Sequence, residues 1–376
     1  MKIPRISRGV DGVTKRERIG VLALYAGDGY IDKYKYVLIE SLTVYFEKFI
    51  VVINGKASAE CVKNIKLYVD EVFSRPNMGY DIGAYKDTLL NYLCDEDWRK
   101  WKELVLLNDT FYGPLNSWNH VFSIMEEREN DFWGLGEHLG GKYIAPHIQS
   151  FFMAYKQNIL LSPIFWDFWR GLRYPKTRKE AIEGFELSFT GAMKKQGFLE
   201  DSYMRAFGSK FTLQYGRSAY LSDAYELVRD IKFPIVKFRL FSPVYYEEAE
   251  KVLQYIKNNC DYDLKLIYEH IDRLEKAGEI RPFGEKQLNQ FYHAHNNIYI
   301  FGHGQYGKNL EKFFAKKGWN ISSFVTTEGN ANEGILNLNE LKMEADDGLI
   351  IALGKQNLQE VYPELSRRIA AQQMLW

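Results

Sequence analysis

Four short aliphatic runs, each followed by a polar turn and a stretch with helical spacing, constrain this chain more than anything else in it. IGVLALYA (Ile19–Ala26), KFIVVING ending at Asn54 and Gly55, EVFSR, and KELVLLNDT read as strands. Between them, GDGYIDKYKYVLIESLTVYF, ECVKNIKLYVD and AYKDTLLNYLCDED carry apolar residues at helical intervals. The fourth run is continuously apolar, as suits a strand covered on both faces. The resulting βαβαβαβ order predicts an α/β fold whose functional loops lie at the carboxyl ends of its strands.

Beyond this half the pattern changes. From Asp131 to Phe211 short strands and helices alternate with heavy aromatic content, as in DFWGLGEHLGG, IQSFFMAY and IFWDFWRGL. Residues 222–290 read as mainly helical, with SPVYYEEAEKVLQYIKNN and LKLIYEHIDRLEKAG clearly amphipathic. NNIYIFGHGQYGKNLEKFFAKKGWNISSFVTT then restarts as strand, glycine turn, helix and strand, with DGLIIALG as a later strand. A chain of 376 residues suits more than one domain. The expected division is 1–220 for the α/β domain, 221–295 for a helical extension, and 296–376 for a small Rossmann-like domain.

Charge and cysteine usage narrow the function classes. Lys and Arg number 49 against 49 Asp and Glu, so no overall field draws the chain to nucleic acid, and none is expected as a partner. Three scattered cysteines, Cys61, Cys94 and Cys260, lack the spacing of a zinc site or a disulfide framework, pointing to a reducing compartment. The leader MKIPRISRGVDG has no apolar run behind its charges, and no stretch of membrane-spanning length occurs. The expectation is a cytoplasmic protein that can act at the inner face of the membrane. Aromatics make up 15% of the chain, and its 26 tyrosines offer flat, hydroxyl-bearing faces of the kind that stack on bases or sugars.

Two strand exits hold the chemistry. RPNMGYDIGAYKD, from Arg75 to Asp87, gives up helix propensity at a helix mouth. Gly79 and Gly83 permit close backbone approach, Asn77 and Asp81 supply polar ends, and Tyr80 and Tyr85 supply faces, as a nucleotide at a sheet edge requires. The alternative is a plain β-to-α turn whose aspartate caps the helix. Strand ELVLL empties into Asn108, Asp109 and Thr110, hard oxygen donors of the kind that hold Mg2+ or Mn2+ against a diphosphate, or else a capped loop. His147 opens a polar cluster with Gln149 and Ser150, and is a candidate base or a donor to the leaving diphosphate. Glu137 and His138 follow DFWGLG and are further candidates. Arg75 and Lys86 flank the glycine stretch as candidate cations for the diphosphate.

The series YxxxGxIDxY (Tyr25 to Tyr34), VVING (Val51 to Gly55), RPNMGYDIGAYKD, LVLLNDTFYGPL, DFWGL and HIQSFF resembles the rhamnan synthesis protein F family of bacterial polysaccharide glycosyltransferases. The resemblance runs from about Ile19 to Phe211, in the family's order. More distantly the family is similar to inverting GT-A glycosyltransferases, which implies a GT-A-like, Rossmann-type mixed sheet flanked by helices. It implies transfer of L-rhamnose from dTDP-rhamnose, or of another sugar from a UDP-sugar, to a cell-surface polysaccharide or lipid-linked glycan. Carried over, Asn77, Gly79 and Asp81 line the nucleotide pocket, and Asp109, with Asn108, faces metal and diphosphate. The two polar ligands stand side by side here, where the common pattern separates them by one residue. Glu186, eleven residues before Gly197 in GFELSFTGAMKKQGF, is similar to the acidic motif that supplies the base in many inverting GT-A enzymes, although Phe185–Glu186 replaces the usual Glu–Asp. A helix-terminal acid is its alternative role.

The tail carries GxGxxG as Gly302, Gly304 and Gly307, directly after a strand and opening a helix. Only Glu328 is placed to meet a ribose, so the module reads as a degenerate or regulatory nucleotide-binding unit. A catalytically silent nucleotide-sugar-binding subunit of a glycan assembly complex, and a dehydrogenase built on the tail, stand as alternatives to the transferase.

Overall fold

A computed structural model describes residues 17–140, 144–208, 218–277, 285–353 and 355–375. The charged leader before Glu17 and the far end of the family resemblance at Phe211 lie outside them. The chain divides into two compact units, Met1–Arg217 with Asp230–Ile235, and Ser218–Arg229 with Val236–Trp376.

In the first unit the expected alternation of strand and helix is present. Strands β1 (Arg18–Ala26), β2 (Lys48–Gly55), β3 (Glu71–Arg75) and β4 (Glu103–Asn108) alternate with helices α1 (Lys33–Leu42), α2 (Ala59–Ile65) and α3 (Tyr80–Asp87). Three further strands, β5 (Phe132–Gly134), β6 (Phe152–Lys156) and β7 (Glu200–Ser202), complete a seven-stranded sheet in the order β7-β5-β6-β4-β1-β2-β3. β6 runs antiparallel to both of its neighbours, while β1 is parallel to β2 and β4. The sheet is therefore the mixed, helix-flanked type, as expected. Seven of the first eight residues of β1 and all six of β4 are buried, which explains why both read as near-continuous apolar runs.

Strand order reverses between the parallel neighbours β1 and β4, from which the chain goes on to opposite sides of the sheet. At their carboxyl ends Ala23 pairs with Asn108 and Tyr25 with Asn54, the edge where ligands of open α/β sheets bind. The amino-terminal edge is closed instead. There Arg18 bonds Glu103 at 2.6 Å and Glu126 at 3.0 Å and lies over the Phe122 ring, and Trp133 donates to Glu103 at 2.8 Å.

Two helices differ from expectation. α2 stops at Ile65 rather than running on through Leu67, whose side chain is exposed. α3 begins at Tyr80, four residues before the expected Ala84, because Gly79 takes a left-handed φ of 75° and its carbonyl accepts from the Gly83 amide at 2.8 Å. Beyond Asp87 the helix widens into a π-type turn over Thr88–Tyr92.

The second unit holds the amphipathic helices Tyr246–Asn259 and Lys265–Ala277 and a five-stranded parallel sheet. β8 (Ile298–Phe301) lies at its centre between β9 (Ser323–Thr326) and β11 (Gly348–Ile351), with β10 (Leu336–Asn337) and β12 (Met374–Leu375) at the edges. Helix α4 (Gln305–Lys317) follows β8, as the glycine spacing predicts. Among the described residues no helix is long and apolar enough to cross a membrane.

Candidate functional site

The carboxyl ends of β1 and β4 gather the polar residues that the two motifs supply. Asn108, the last residue of β4, donates its amide to Asp81 Oδ2 at 2.6 Å, joining the glycine stretch to the ND pair. Asp109 reaches across to β1 and accepts from the Tyr25 amide at 3.0 Å. Asp81 sits in the first turn of α3, where its Oδ1 also accepts from the Ile82 amide. Burial pushes the Asp81 carboxyl above the ordinary range; the Asn108 hydrogen bond opposes this, and the charges of Glu186 and Asp109 add to it. The Tyr85 phenol is raised too, mainly by burial and then by Asp81, Asp109 and Glu186. Four groups from distant parts of the sequence thus feel one another's charge.

Glu186 arrives from a different layer. It lies in a π-type turn, Ile182–Leu187, where the Ser188 hydroxyl bonds the Glu183 carbonyl at 2.6 Å. Its neighbours Phe185 and Phe189 are fully buried, with Phe185 packed on Trp169 at 5.0 Å, so the carboxylate is carried on an anchored segment. Glu186 Oε1 accepts from both the amide (2.8 Å) and the hydroxyl (2.6 Å) of Ser150, leaving Oε2 facing His147 Nε2 at 3.7 Å. His147 Nδ1 faces the Ala145 carbonyl at 2.9 Å, an acceptor, so in the neutral ring the proton sits on Nδ1 and Nε2 carries a lone pair. The ring stacks on His138 across the short ladder Glu137–His138 with His147–Ile148. Burial and the His147 charge hold the His138 imidazole below its ordinary value. The two candidate bases therefore form one cluster.

Several sequence-predicted residues serve the scaffold. Arg75 is buried and bonds Asp87 (2.7 Å), Asn54 (2.6 Å) and the Met78 carbonyl (2.9 Å), so its guanidinium clamps the loop rather than meeting a diphosphate. Lys86 is directed at the Leu172 and Arg170 carbonyls. Glu137 is buried against Arg205 and Ser202. A Cβ on Gly83 would lie 2.0 Å from the Met78 carbonyl oxygen, so the loop's own backbone requires that glycine. Gly79 packs beside Tyr174 and Pro175, and Asn77 is exposed at the rim. Tyr80 carries φ 56°, uncommon for a bulky residue, and its carbonyl is held by Asn54 Nδ2 at 2.8 Å. Its ring is partly exposed, as is that of Tyr25.

In the tail, Gly302 has φ 108°, and a Cβ on Gly307 would meet the Gly302 carbonyl oxygen at 2.0 Å. Both glycines thus close the turn between β8 and α4, whereas Gly304 faces open space. Glu328 is exposed.

One residue of the site escaped sequence reasoning. Lys35 is buried in α1 with its ammonium 2.6 Å from Asp109 Oδ2 and 2.6 Å from the Tyr25 carbonyl. Its signal was a lysine three and four residues before Leu38 and Ile39, on the helix face that packs inward. It bears on the metal. Asp109 Oδ2 is engaged by Lys35 and Tyr25, Asn108 Nδ2 by Asp81, and Asn108 Oδ1 by Thr110. Among the described residues no group of three or more His, Cys, Asp or Glu side chains could hold a metal ion. Asp109 Oδ2 and the Asn108 side chain are thus engaged within the protein.

The model of the family described as rhamnan synthesis protein F matches residues 49–357, most of the chain, including Asp81, Asp109 and Glu186. The chain belongs to this family. Among curated relatives, it is 22% identical over 181 residues to "Uncharacterized protein y4gN" of Sinorhizobium fredii, covering 48% of this chain and 46% of that one. It is 26% identical over 221 residues to "Virulence protein VirA" of Vibrio anguillarum, covering 52% and 70%. The chain thus spans less than half the length of the first. Among solved structures it is similar to the apo-form glycosyltransferase GlyE of Streptococcus pneumoniae, with 10% identity, a TM-score of 0.31, and 94% of this chain and 89% of that one covered. A likeness of that degree does not bear on function.

Proposed function

We propose that this member of the rhamnan synthesis protein F family transfers a sugar from a nucleoside diphosphate to a cell-surface polysaccharide or lipid-linked glycan, with L-rhamnose from dTDP-rhamnose as the donor and inversion at the anomeric carbon. The observation that carries the reading is the bond between Asn108 and Asp81 at the switch point of the sheet, with the charge of Glu186 acting on Asp81 there. Family membership supports the reaction class.

In this reading the nucleotide lies against Asn77–Tyr85, with Tyr80 and Tyr25 offering their rings to the base. The acceptor hydroxyl attacks the anomeric carbon while the bond to the diphosphate breaks, and the hydroxyl proton passes to Glu186 Oε2. Ser150 occupies Oε1 with two hydrogen bonds, which fixes the carboxylate and leaves the other oxygen for the proton. His147 Nε2, 3.7 Å away, is next in line to receive it.

The test is a thermal-shift panel of dTDP, UDP, GDP and NAD followed by donor turnover with dTDP-rhamnose and UDP-sugars. Stabilisation by dTDP or UDP and release of the nucleoside diphosphate on adding acceptor is the expected result. Stabilisation by NAD alone would point to the dehydrogenase, and nucleotide binding without turnover to a silent binding subunit.

A further inference from the structure

The ND pair stands where a divalent ion would bridge a diphosphate, yet Asp109 Oδ2 and both polar atoms of the Asn108 side chain are already engaged. Lys35 and Asp109 are 4% and 7% exposed, and their 2.6 Å contact joins an ammonium to a carboxylate out of bulk water. A second donor, the Tyr25 amide, meets the same oxygen. A divalent ion on Asp109 would have to displace the ammonium or sit beside it, two like charges in a site with little water to screen them. Asn108 cannot compensate, because its amide binds Asp81 and its oxygen accepts from the Thr110 amide and hydroxyl. The ammonium itself is fixed from the other side by the Tyr25 carbonyl at the end of β1.

We infer that this donor site works without a divalent ion, the Lys35 ammonium holding the place at Asp109 that the ion would take. The inference rests on the transferase reading, which supplies the diphosphate. Lys35 is then a positioning residue. It neutralises Asp109, ties α1 to the strand exit, and keeps the carboxylate from repelling the donor's own negative charge.

Full-length protein titrated calorimetrically with dTDP and with UDP, in EDTA and in excess Mn2+, decides the matter. The expected result is binding of at least one nucleotide with dissociation constants that agree within about threefold in the two buffers. Binding that strengthens about tenfold or more with Mn2+ would overturn the inference and leave the transferase reading intact. Failure of both nucleotides to bind in either buffer would overturn both. Mn2+ alone gives an independent readout. Lys35→Met leaves Asp109 charged and unpaired, so Mn2+ should raise the Tm of that variant and not of the wild type. A Tm rise in the wild type equal to that of the variant would count against the inference, and if the variant does not fold, the wild-type titration stands by itself.

Discussion

Two carboxylates, Asp81 and Glu186, whose charges act on one another, face opposite demands at the level of single residues. Glu186 has one oxygen fixed by Ser150 and the other directed into the cluster, the arrangement of a base. Glu186→Gln keeps the size and the Ser150 contacts, so transfer should fall about a hundred- to ten-thousand-fold while nucleotide affinity by calorimetry stays unchanged. Full activity would remove Glu186 from the mechanism. Asp81 is held in its site at a cost. Its folded-state pKa is raised above the ordinary 3.8, so the folded protein binds the proton more tightly than the unfolded chain, and stability is lost as pH rises from that value through the folded one. Asp81→Asn keeps an oxygen for Asn108 and removes the ionisation. Its Tm at pH 7 should exceed that of the wild type by about 2 °C, with the advantage shrinking toward pH 4, while nucleotide affinity drops. A variant less stable at pH 7 would show that the carboxylate stabilises the loop instead.

The element that decides the site is the turn from β3 into α3. Two consecutive left-handed residues, Gly79 and Tyr80, swing the chain so that Asp81 meets Asn108, and Asn54 and Arg75 pin the result. Gly83 lets the helix start close beneath Met78. Gly83→Ala should therefore cost about 1–3 kcal/mol in denaturant unfolding, since the clash is with backbone that cannot rotate away. Gly304→Ala in the tail, where a Cβ meets nothing within 4 Å, should stay within about 1 kcal/mol of the wild type. Equal effects would mean that glycine content, rather than close approach, sets the cost. The glycines of RPNMGYDIGAYKD were legible as special in the sequence. That one of them serves the loop's own carbonyl was not, because a glycine's reason lies in whatever atom approaches it.

At the scale of the whole molecule, the first unit is not one continuous stretch of chain. Ile231, Phe233 and Ile235 are buried in it, the Leu115 amide bonds the Pro234 carbonyl at 2.7 Å, and the Tyr203 hydroxyl bonds the Ile231 carbonyl. A chain cut after Arg217 would lose those side chains, at about 1.5–3 kcal/mol each, so a chain ending at Ile235 should melt higher and express with less aggregation. Equal melting temperatures would show that the segment is dispensable. The strands, the helices between them, and the exits carrying Asp81, Asn108 and Asp109 were all readable in advance, because burial on one or both faces imposes a period on the sequence itself. The tertiary structure alone brought Glu186 and His147 against Ser150, turned Arg75 and Lys86 inward, and set Lys35 on Asp109. Those are meetings between residues distant along the chain, and nothing in local spacing encodes which charge will find which partner once water has been excluded from between them.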